Sequence, residues 1–310
     1  MTDPVAPPVA QGAAPSVERP LLGIALRLAA MAVLGVMFVC VKLAGEHDVH
    51  LVESLFWRQF AGLPAVILWL WSAGKLHEIR TERPAAHALR ATIGLSSMAL
   101  NFSAMLLLPM AVATTIGFAS PIFATLLAAL LLAEPTGKYR WGAVILGFAG
   151  VLLAMRPDSE GLQGAGAWVA LAGALLTACV LIQIRKMSRQ ESTGAIVFWF
   201  SLSTLVPLGI GMSFFSRSHD AQGWMLIAGL AASGALAQLL LTASMRHASV
   251  AVIATMDYTS LIWSVLFGYL IFGDLPTWAT WAGAITIILA GLIIAWREQY
   301  LARQRRHALA

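Results

Sequence analysis

Charged residues are scarce in this sequence of 310 residues, making up 11% of the chain, whereas hydrophobic residues make up 59%. A typical soluble domain is about one quarter charged, and a disordered chain is poor in apolar residues. Together with a mean hydropathy of +0.79, these values exclude a soluble globular domain and a disordered protein. The composition indicates an integral membrane protein.

Cysteines and catalytic motifs are also scarce. The two cysteines, Cys40 and Cys179, lie inside apolar runs without metal-ligand spacing, which argues against a disulfide framework or a metal centre. No G-x-S-x-G, H-E-x-x-H or P-loop pattern is present. We therefore predict no cofactor, no metal and no enzymatic activity, with an intramembrane enzyme as a distant alternative. The net charge of +5 forms no continuous basic face, so we expect no nucleic-acid partner.

Long apolar runs dominate the chain. Most are near the ~20 residues that cross a bilayer as a helix, and ten can be counted, at 22–44, 52–73, 86–108, 111–133, 140–155, 165–184, 192–215, 223–245, 249–272 and 277–296. They predict an all-α integral membrane fold with ten transmembrane helices. Outside them we expect a disordered cytoplasmic tail at 1–20 and a basic cytoplasmic tail at 298–310.

The distribution of Lys and Arg predicts the orientation in the membrane. Cytoplasmic loops of membrane proteins are rich in these residues. With the N-terminus inside, nearly all Lys and Arg residues near the helix ends fall on the cytoplasmic side, and only Lys42, Arg156 and Arg217 fall on the other. We therefore expect a multi-pass protein of the bacterial inner membrane with both termini in the cytoplasm.

An internal repeat divides the ten helices into two halves. Residues 110–134 align with 250–274 at an offset of 140, and the alignment continues through the next helix after one inserted residue. Glu134 would lie on the cytoplasmic side and its counterpart Asp274 on the other side, so the two halves are inverted. This arrangement is typical of secondary transporters. The predicted five-helix repeats are at 21–157 and 164–297.

Two segments resemble a known family. The stretch from Met110 to Pro157 has many small residues, a mid-helix Pro and an acidic residue before a Gly-rich helix, and the run ESLFWR from Glu53 to Arg58 resembles a second-helix motif. Both are similar to the drug/metabolite transporter superfamily of the EamA type. The second repeat departs from the family pattern, since Leu261 stands where Pro is frequent and an Asp replaces the usual Glu.

The resemblance implies a secondary transporter of small organic metabolites that works by alternating access. Export of amino acids, aromatic or broadly neutral, is the first expectation. Uptake of S-adenosylmethionine and transport of a vitamin such as riboflavin are the alternatives. The implied partners are a small-molecule substrate and the lipid bilayer. The Gly-rich fifth and tenth helices are expected to pack closely, with a homodimer face as an alternative role.

Ionisable residues inside apolar runs are the first candidates for a substrate site, because such groups are costly in a membrane. Asp257 would lie about 10 Å from the inner boundary and shares a helix face with Ser260 and Ser264. It could bind a substrate ammonium, carry a proton, or be a structural carboxylate. Arg58 could hold a substrate carboxylate, but the resemblance favours a gate or a structural ion pair, with Glu53 as one partner.

Amides and aromatic rings complete the predicted substrate site. Asn101 and Gln238 lie in the middle of helices, where they would form either substrate contacts or interhelical hydrogen bonds. Phe118 aligns with Tyr258 in the repeat, and Trp263 follows five residues later. These rings would either form aromatic walls beside the carboxylate, suited to a bound ammonium, or pack in the core.

Two prolines and two terminal cations have conformational roles in this interpretation. Pro121 and Pro207 fall inside helices and are predicted to kink them. Helix nine has no proline at the position equivalent to Pro121, so only helix four is expected to bend there. Arg27 and Lys42, at the two ends of helix one, are expected to snorkel to the membrane interfaces.

Overall fold

Helices account for all regular secondary structure in the residues that the computed structural model describes, which are 20–131, 138–155, 162–188, 190–245, 247 and 255–309. The all-α prediction is therefore confirmed for these residues. The predicted tail at 1–20 lies outside them except for Pro20, as do Glu134 and Arg156. The predicted tail at 298–310 is helical in its backbone as far as Leu309.

Eleven α-helices are described, together with one 3-10 helix at Leu76–Ile79. The α-helices are α1 Pro20–Glu46, α2 Leu51–Ser72, α3 Pro84–Leu107, α4 Met110–Gly117, α5 Ser120–Leu131, α6 Lys138–Met155, α7 Leu162–Met187, α8 Thr193–Phe215, α9 Ala221–Ser244, α10 Thr259–Phe272 and α11 Trp278–Leu309. Two short helices, α4 and α5, follow one another across a single membrane span, which runs from Met110 to Leu130.

Seven of the described spans are long and apolar enough to cross a membrane, and the shorter helices Trp141–Met155 and Thr259–Phe272 are also apolar. The remaining span is α3, whose first half contains His87 and Arg90 and is therefore more polar. The seven long spans, the two shorter apolar helices and α3 together account for the ten predicted membrane crossings. The chain is thus a multi-pass membrane protein.

Helix ends between the spans follow ordinary capping chemistry. The side chains of His50, Ser192 and Asp220 each accept a hydrogen bond from a backbone N–H in the first turn of the following helix. Such caps satisfy donors that a helix leaves unpaired. Gly273, with φ of +70°, ends α10 in the left-handed conformation that glycine adopts without strain.

The packing of the helices is symmetric between the two repeats. In the two repeats, α1 corresponds to α7, α2 to α8, and α3 to α9. Helix α1 packs on α9, and its counterpart α7 packs on α3 in the same way. The contact of α2 with α9 is repeated by that of α8 with α3, and the contact of α1 with α10 is repeated by those of α7 with α4 and α5. The contacts α2–α8, α4–α10 and α6–α11 each join a helix to its own counterpart. The fold is therefore two inverted five-span repeats, as the sequence predicted.

The Gly-rich helices α6 and α11 pack against each other within the chain. A Cβ at Gly150 would lie 2.9 Å from the carbonyl oxygen of Gly283, and a Cβ at Gly283 would lie 2.7 Å from that of Gly150. Only glycine permits such a close crossing. These glycines therefore serve packing inside the monomer, and a homodimer stays a prediction.

The two ends of the bundle are closed differently. On the side where α1 begins, called here the N-terminal side, Thr81 donates to Glu191 at 2.8 Å and Ser192 donates to the carbonyl of Glu78 at 2.9 Å. These bonds join loops, and they leave the interior between the helices unfilled. On the opposite side an apolar cluster fills the space between helices, formed by Met37, Val41, Ala44, Val49, Leu55, Phe102, Leu208, Ile227 and Leu230.

Candidate functional site

A cavity of about 510 Å³ lies among α1, α2, α3, α7, α8 and α9. Phe38 and Phe102 line it at its deepest point, where the cavity meets the apolar cluster of the opposite side. Ser188, Thr193 and Met245 line it at the other end, and all three are exposed. This first cavity therefore opens on the N-terminal side.

A second cavity of about 610 Å³ lies among α5, α7, α11 and the residues just before α10. Phe118, Asp257 and Tyr258 line it. Arg27 and Met245 line both cavities, so the two spaces meet at the Arg27 side chain. The predicted site residues are thus divided between two neighbouring cavities rather than gathered in one.

Two repeat-related spans are interrupted at the same position. Helices α4 and α5 are separated by Phe118 and Ala119, and a turn at Asp257 and Tyr258 precedes α10. At the repeat offset of 140, Phe118 corresponds to Tyr258. Discontinuous helices in corresponding places of two inverted repeats are a feature of transporter binding sites. Gly117, Ser120 and Pro121 flank the first break and Asp257 lies in the second; these residue types are common in turns, but the sequence analysis did not interpret them as breaks.

The interruption corrects the expected role of Pro121. We expected a kink in span four alone, but both related spans are broken, and Pro121 is the second residue of α5. A proline in the first turn of a helix costs no hydrogen bond, so Pro121 starts a helix rather than bending one. Pro207 lies inside the continuous helix α8, and α2 likewise contains Pro64, which the sequence analysis did not single out.

Phe118 and Tyr258 meet across the two breaks. Their ring centroids are 5.0 Å apart and the rings are inclined at 65°, an edge-to-face contact. A Cβ at Gly291 of α11 would overlap the Tyr258 hydroxyl oxygen, so this glycine makes room for the tyrosine. The aromatic pair therefore forms one wall of the second cavity.

Asp257 is held by Arg27 through two hydrogen bonds. The Arg27 Nε donates to Oδ1 at 2.5 Å, and Nη2 donates to Oδ2 at 2.7 Å. Arg27 is only 8% exposed, so the expectation that it snorkels to the interface is wrong. The two residues lie at similar depth from the N-terminal side, on helices that pack together, and this common depth was a signal available in the sequence.

Arg58 has no carboxylate partner among the described residues. Its Nη1 donates to Gln59 Oε1 at 2.6 Å and lies 3.0 Å from Met98 Sδ, while its Nε is buried without a partner. The expected pair with Glu53 is not formed, because Glu53 Oε2 lies 2.7 Å from His219 Nε2. Residues five apart on a helix point about 140° away from each other.

Arg90 is a site residue that the sequence analysis missed. It was assigned to the cytoplasmic boundary, yet it is 8% exposed and lines the first cavity. Its guanidinium carbon lies 4.3 Å from the centroid of the Phe200 ring, and its Nε and Nη1 are buried without hydrogen-bond partners. Nothing in the local sequence distinguishes it from an ordinary boundary arginine.

The two predicted amides line the first cavity but differ in their bonding. Asn101 Nδ2 donates to the Ser97 carbonyl at 2.8 Å and to Thr177 Oγ1 at 3.2 Å, which joins α3 to α7. The Gln238 amide has no hydrogen-bond partner in the described part of the chain. Trp263 lines neither cavity; it stacks on Phe267, and its Cβ approaches α1.

Comparison with known proteins gives one family. The profile of the EamA-like transporter family matches residues 21–156 and 164–296. A pseudopaline exporter of Pseudomonas aeruginosa is 26% identical over 276 residues, covering 88% of this chain and 95% of the relative. An S-adenosylmethionine uptake transporter of Rickettsia felis is 27% identical over 259 residues, covering 83% and 87%. These relatives are transporters and not enzymes.

Two further similarities complete the comparison. A riboflavin transporter of Rhizobium johnstonii is 30% identical over 237 residues, covering 75% of this chain and 76% of the relative. A solved crystal structure superposes with a TM-score of 0.60 at 18% identity, covering 88% of this chain and 95% of that chain. At this identity the superposition shows a shared fold alone.

Proposed function

This chain belongs to the EamA-like transporter family and is a small-molecule transporter, and from this premise we propose that it exports amino acids or closely related metabolites. The N-terminal side of the bundle then faces the cytoplasm of a bacterial cell, and the opposite side lies across the inner membrane. The positions of Lys and Arg in the sequence support this orientation.

One observation carries the proposal: the two cavities that contain predicted site residues lie toward the N-terminal side, and an apolar cluster separates the first of them from the opposite side. Alternating access requires a state of this kind, in which a central site communicates with one side only. In the proposed orientation, the structure is the state that loads substrate from the cytoplasm.

Lys42 supports the closure of the opposite side. Its Nζ donates to the carbonyl of Leu108 at 2.9 Å, lies 3.9 Å from a carboxylate oxygen of Asp274, and lies 5.1 Å from the centroid of the Phe272 ring. These contacts join the end of α1 to the ends of α3 and α10. Opening toward the opposite side separates these ends, so Lys42 acts as a latch.

Substrate contacts in this proposal come from both cavities. Gln238 offers an amide that has no partner among the described residues, and Asn101 lines the same cavity while also bonding α3 to α7. Phe118 and Tyr258 supply an aromatic wall. Asp257 binds Arg27 through both carboxylate oxygens, which makes it a contact between the two repeats rather than a free site for an ammonium group.

Uptake of S-adenosylmethionine and transport of riboflavin are the alternatives within the family. Relatives that cover most of this chain carry those names. All three functions share the family fold, so the fold does not separate them. A direct transport assay compares them.

Counterflow in proteoliposomes is the test of the proposed function. Purified protein is loaded with each unlabelled compound of a panel, namely neutral and acidic amino acids, S-adenosylmethionine, riboflavin and a lipophilic cation. We expect saturable exchange of an amino acid. Gln238→Leu should weaken that exchange, whereas Gln222→Leu, at an exposed position of the same helix α9, should leave it unchanged. Exchange confined to another class, or silence even with an imposed pH gradient, contradicts the proposal.

A further inference from the structure

The first cavity contains more positive charge than its protein partners balance. Arg27, Arg58 and Arg90 all line it, and no Asp or Glu stands among its described lining residues. Asp257, which lines the neighbouring cavity, neutralises Arg27. Arg58 and Arg90 therefore have no compensating carboxylate in the described part of the chain.

Unpaired guanidinium groups are costly at this depth. A buried charge is normally paired or hydrogen-bonded, because it loses its hydration, and ionisable groups within the membrane usually mark a pathway. Within the described residues, Arg58 Nε has no hydrogen-bond partner, and neither Nε nor Nη1 of Arg90 has one. A purely structural role leaves this cost uncompensated, whereas an anionic ligand balances it.

The two guanidinium groups lie along the same wall of the cavity. Arg58 Nη1 contacts the sulfur of Met98, and a Cβ at Gly94 would overlap Arg90 Nη1. Gly94 and Met98 are one turn apart on α3, which corresponds to about 6 Å along the helix axis. Phe200 supports the Arg90 guanidinium from one face and so orients it. Two forked donors that contact neighbouring turns of the same helix suit a ligand with two acidic groups.

We infer that the substrate is a small organic anion of net negative charge, such as an acidic amino acid or a dicarboxylate, whose acidic groups bind Arg58 and Arg90. The inference rests on the transport function proposed above and narrows it. Arg27 does not take part, because Asp257 occupies its guanidinium. The neutral amide of Gln238 lies in the same cavity and is suited to the uncharged part of the ligand.

Counterflow with matched pairs of compounds tests the charge preference. The probes are glutamate with glutamine, succinate with succinamic acid, and S-adenosylmethionine and riboflavin as cationic and neutral compounds. Glutamate and glutamine differ in one charged group at nearly constant size. We expect saturable exchange of glutamate or succinate and at least a ten-fold higher KM for the less acidic partner.

Arginine variants locate the anion site. Arg58→Gln and Arg90→Gln should each raise the KM for the exchanged anion about ten-fold or more, because a charge-assisted forked contact is lost. Arg58→Lys and Arg90→Lys should recover part of the affinity. Arg80→Gln, at an exposed position of the N-terminal side, is the matched control and should leave KM unchanged.

Thermal melting in detergent separates a binding role from a structural one. Arg90 has no carboxylate partner in the described part of the chain, so Arg90→Gln loses only its contact with the Phe200 ring and should lower the melting temperature by no more than about 2 °C. A larger drop in melting temperature with an unchanged KM overturns the inference. Saturable exchange of a neutral or cationic compound, unaffected by both Gln variants, also overturns it while transport itself stands. Exchange of no compound, with and without a pH gradient, refutes the transport function and the inference with it.

Discussion

The ion pair between Arg27 and Asp257 is unequally buried, and its two partners should therefore respond differently to substitution. The Arg27 side chain is 10% exposed and that of Asp257 is 36% exposed. Removing one partner of a buried pair costs about 3–5 kcal/mol, whereas an exposed pair contributes about 0–1 kcal/mol. This pair lies between the two limits.

Asp257→Asn should be the more damaging change. It leaves a buried guanidinium whose Nη1 already has no partner, and we expect a loss of about 2–3 kcal/mol in the free energy of unfolding. Arg27→Gln leaves a carboxylate that water reaches, so we expect about 1–2 kcal/mol. The double variant has no unpaired charge, and it should be more stable than Asp257→Asn alone.

Thermal melting of the purified protein in detergent measures this order. A chain of this size loses roughly 2 °C in melting temperature per kcal/mol. The Asp257→Asn variant should therefore melt about 4–6 °C below the wild type, and the Arg27→Gln variant should melt at a temperature between those two. Glu46→Gln, an exposed carboxylate on the opposite side, is the control and should not shift. The counterflow assay should show a lower kcat with little change in KM. An unchanged melting temperature with a many-fold higher KM would refute this reasoning, because the carboxylate would then contact the substrate directly.

Three further perturbations test other parts of the structure. Gly291→Ala should lower stability by about 1–3 kcal/mol in a melting experiment, because its Cβ overlaps the Tyr258 hydroxyl; Gly142→Ala, where a Cβ meets nothing within 4 Å, should have no such effect. A cysteine replacing Gln238 in a cysteine-free background should react with a membrane-impermeant thiol reagent from the N-terminal side alone, and reaction from neither side would contradict an open cavity. Adding Lys42→Gln should make the same cysteine react from the opposite side as well, and an unchanged pattern would show that Lys42 is no latch.

The depth of each helix and of each residue in the membrane could be predicted from the sequence. Lengths of apolar runs gave the ten spans, and an offset of 140 residues gave the inverted repeat. Depth also led to Asp257 and Arg58 as charged residues inside the membrane spans. The repeat alignment paired Phe118 with Tyr258, and the structure shows that the two rings are in contact. Each of these properties depends on distance along the chain, which the sequence states directly.

The direction in which each side chain points around its helix axis, and so the neighbour that it contacts, could not be predicted in the same way. Glu53 and Arg58 belong to one helix, but Glu53 faces His219 of the loop before α9. Arg27 and Asp257 are 230 residues apart, and their contact depends on which face of α1 meets α10. Arg90 looks like a boundary cation until Phe200 of α8 is placed against it. These facts belong to tertiary packing, which no local pattern encodes.

The contacts α2–α8, α4–α10 and α6–α11 each join a helix to its own counterpart. If the repeats exchange conformations during transport, each of these contacts joins the same two helices at the start and at the end, so only differences between the side chains of the two copies contribute to the energy difference between the two states. That difference must come from positions at which the two copies diverge. Asp257 is one, because Gly117 occupies its place in the first repeat. Divergent residues of the duplicated unit, Asp257 among them, therefore determine which face of the membrane the empty transporter favours.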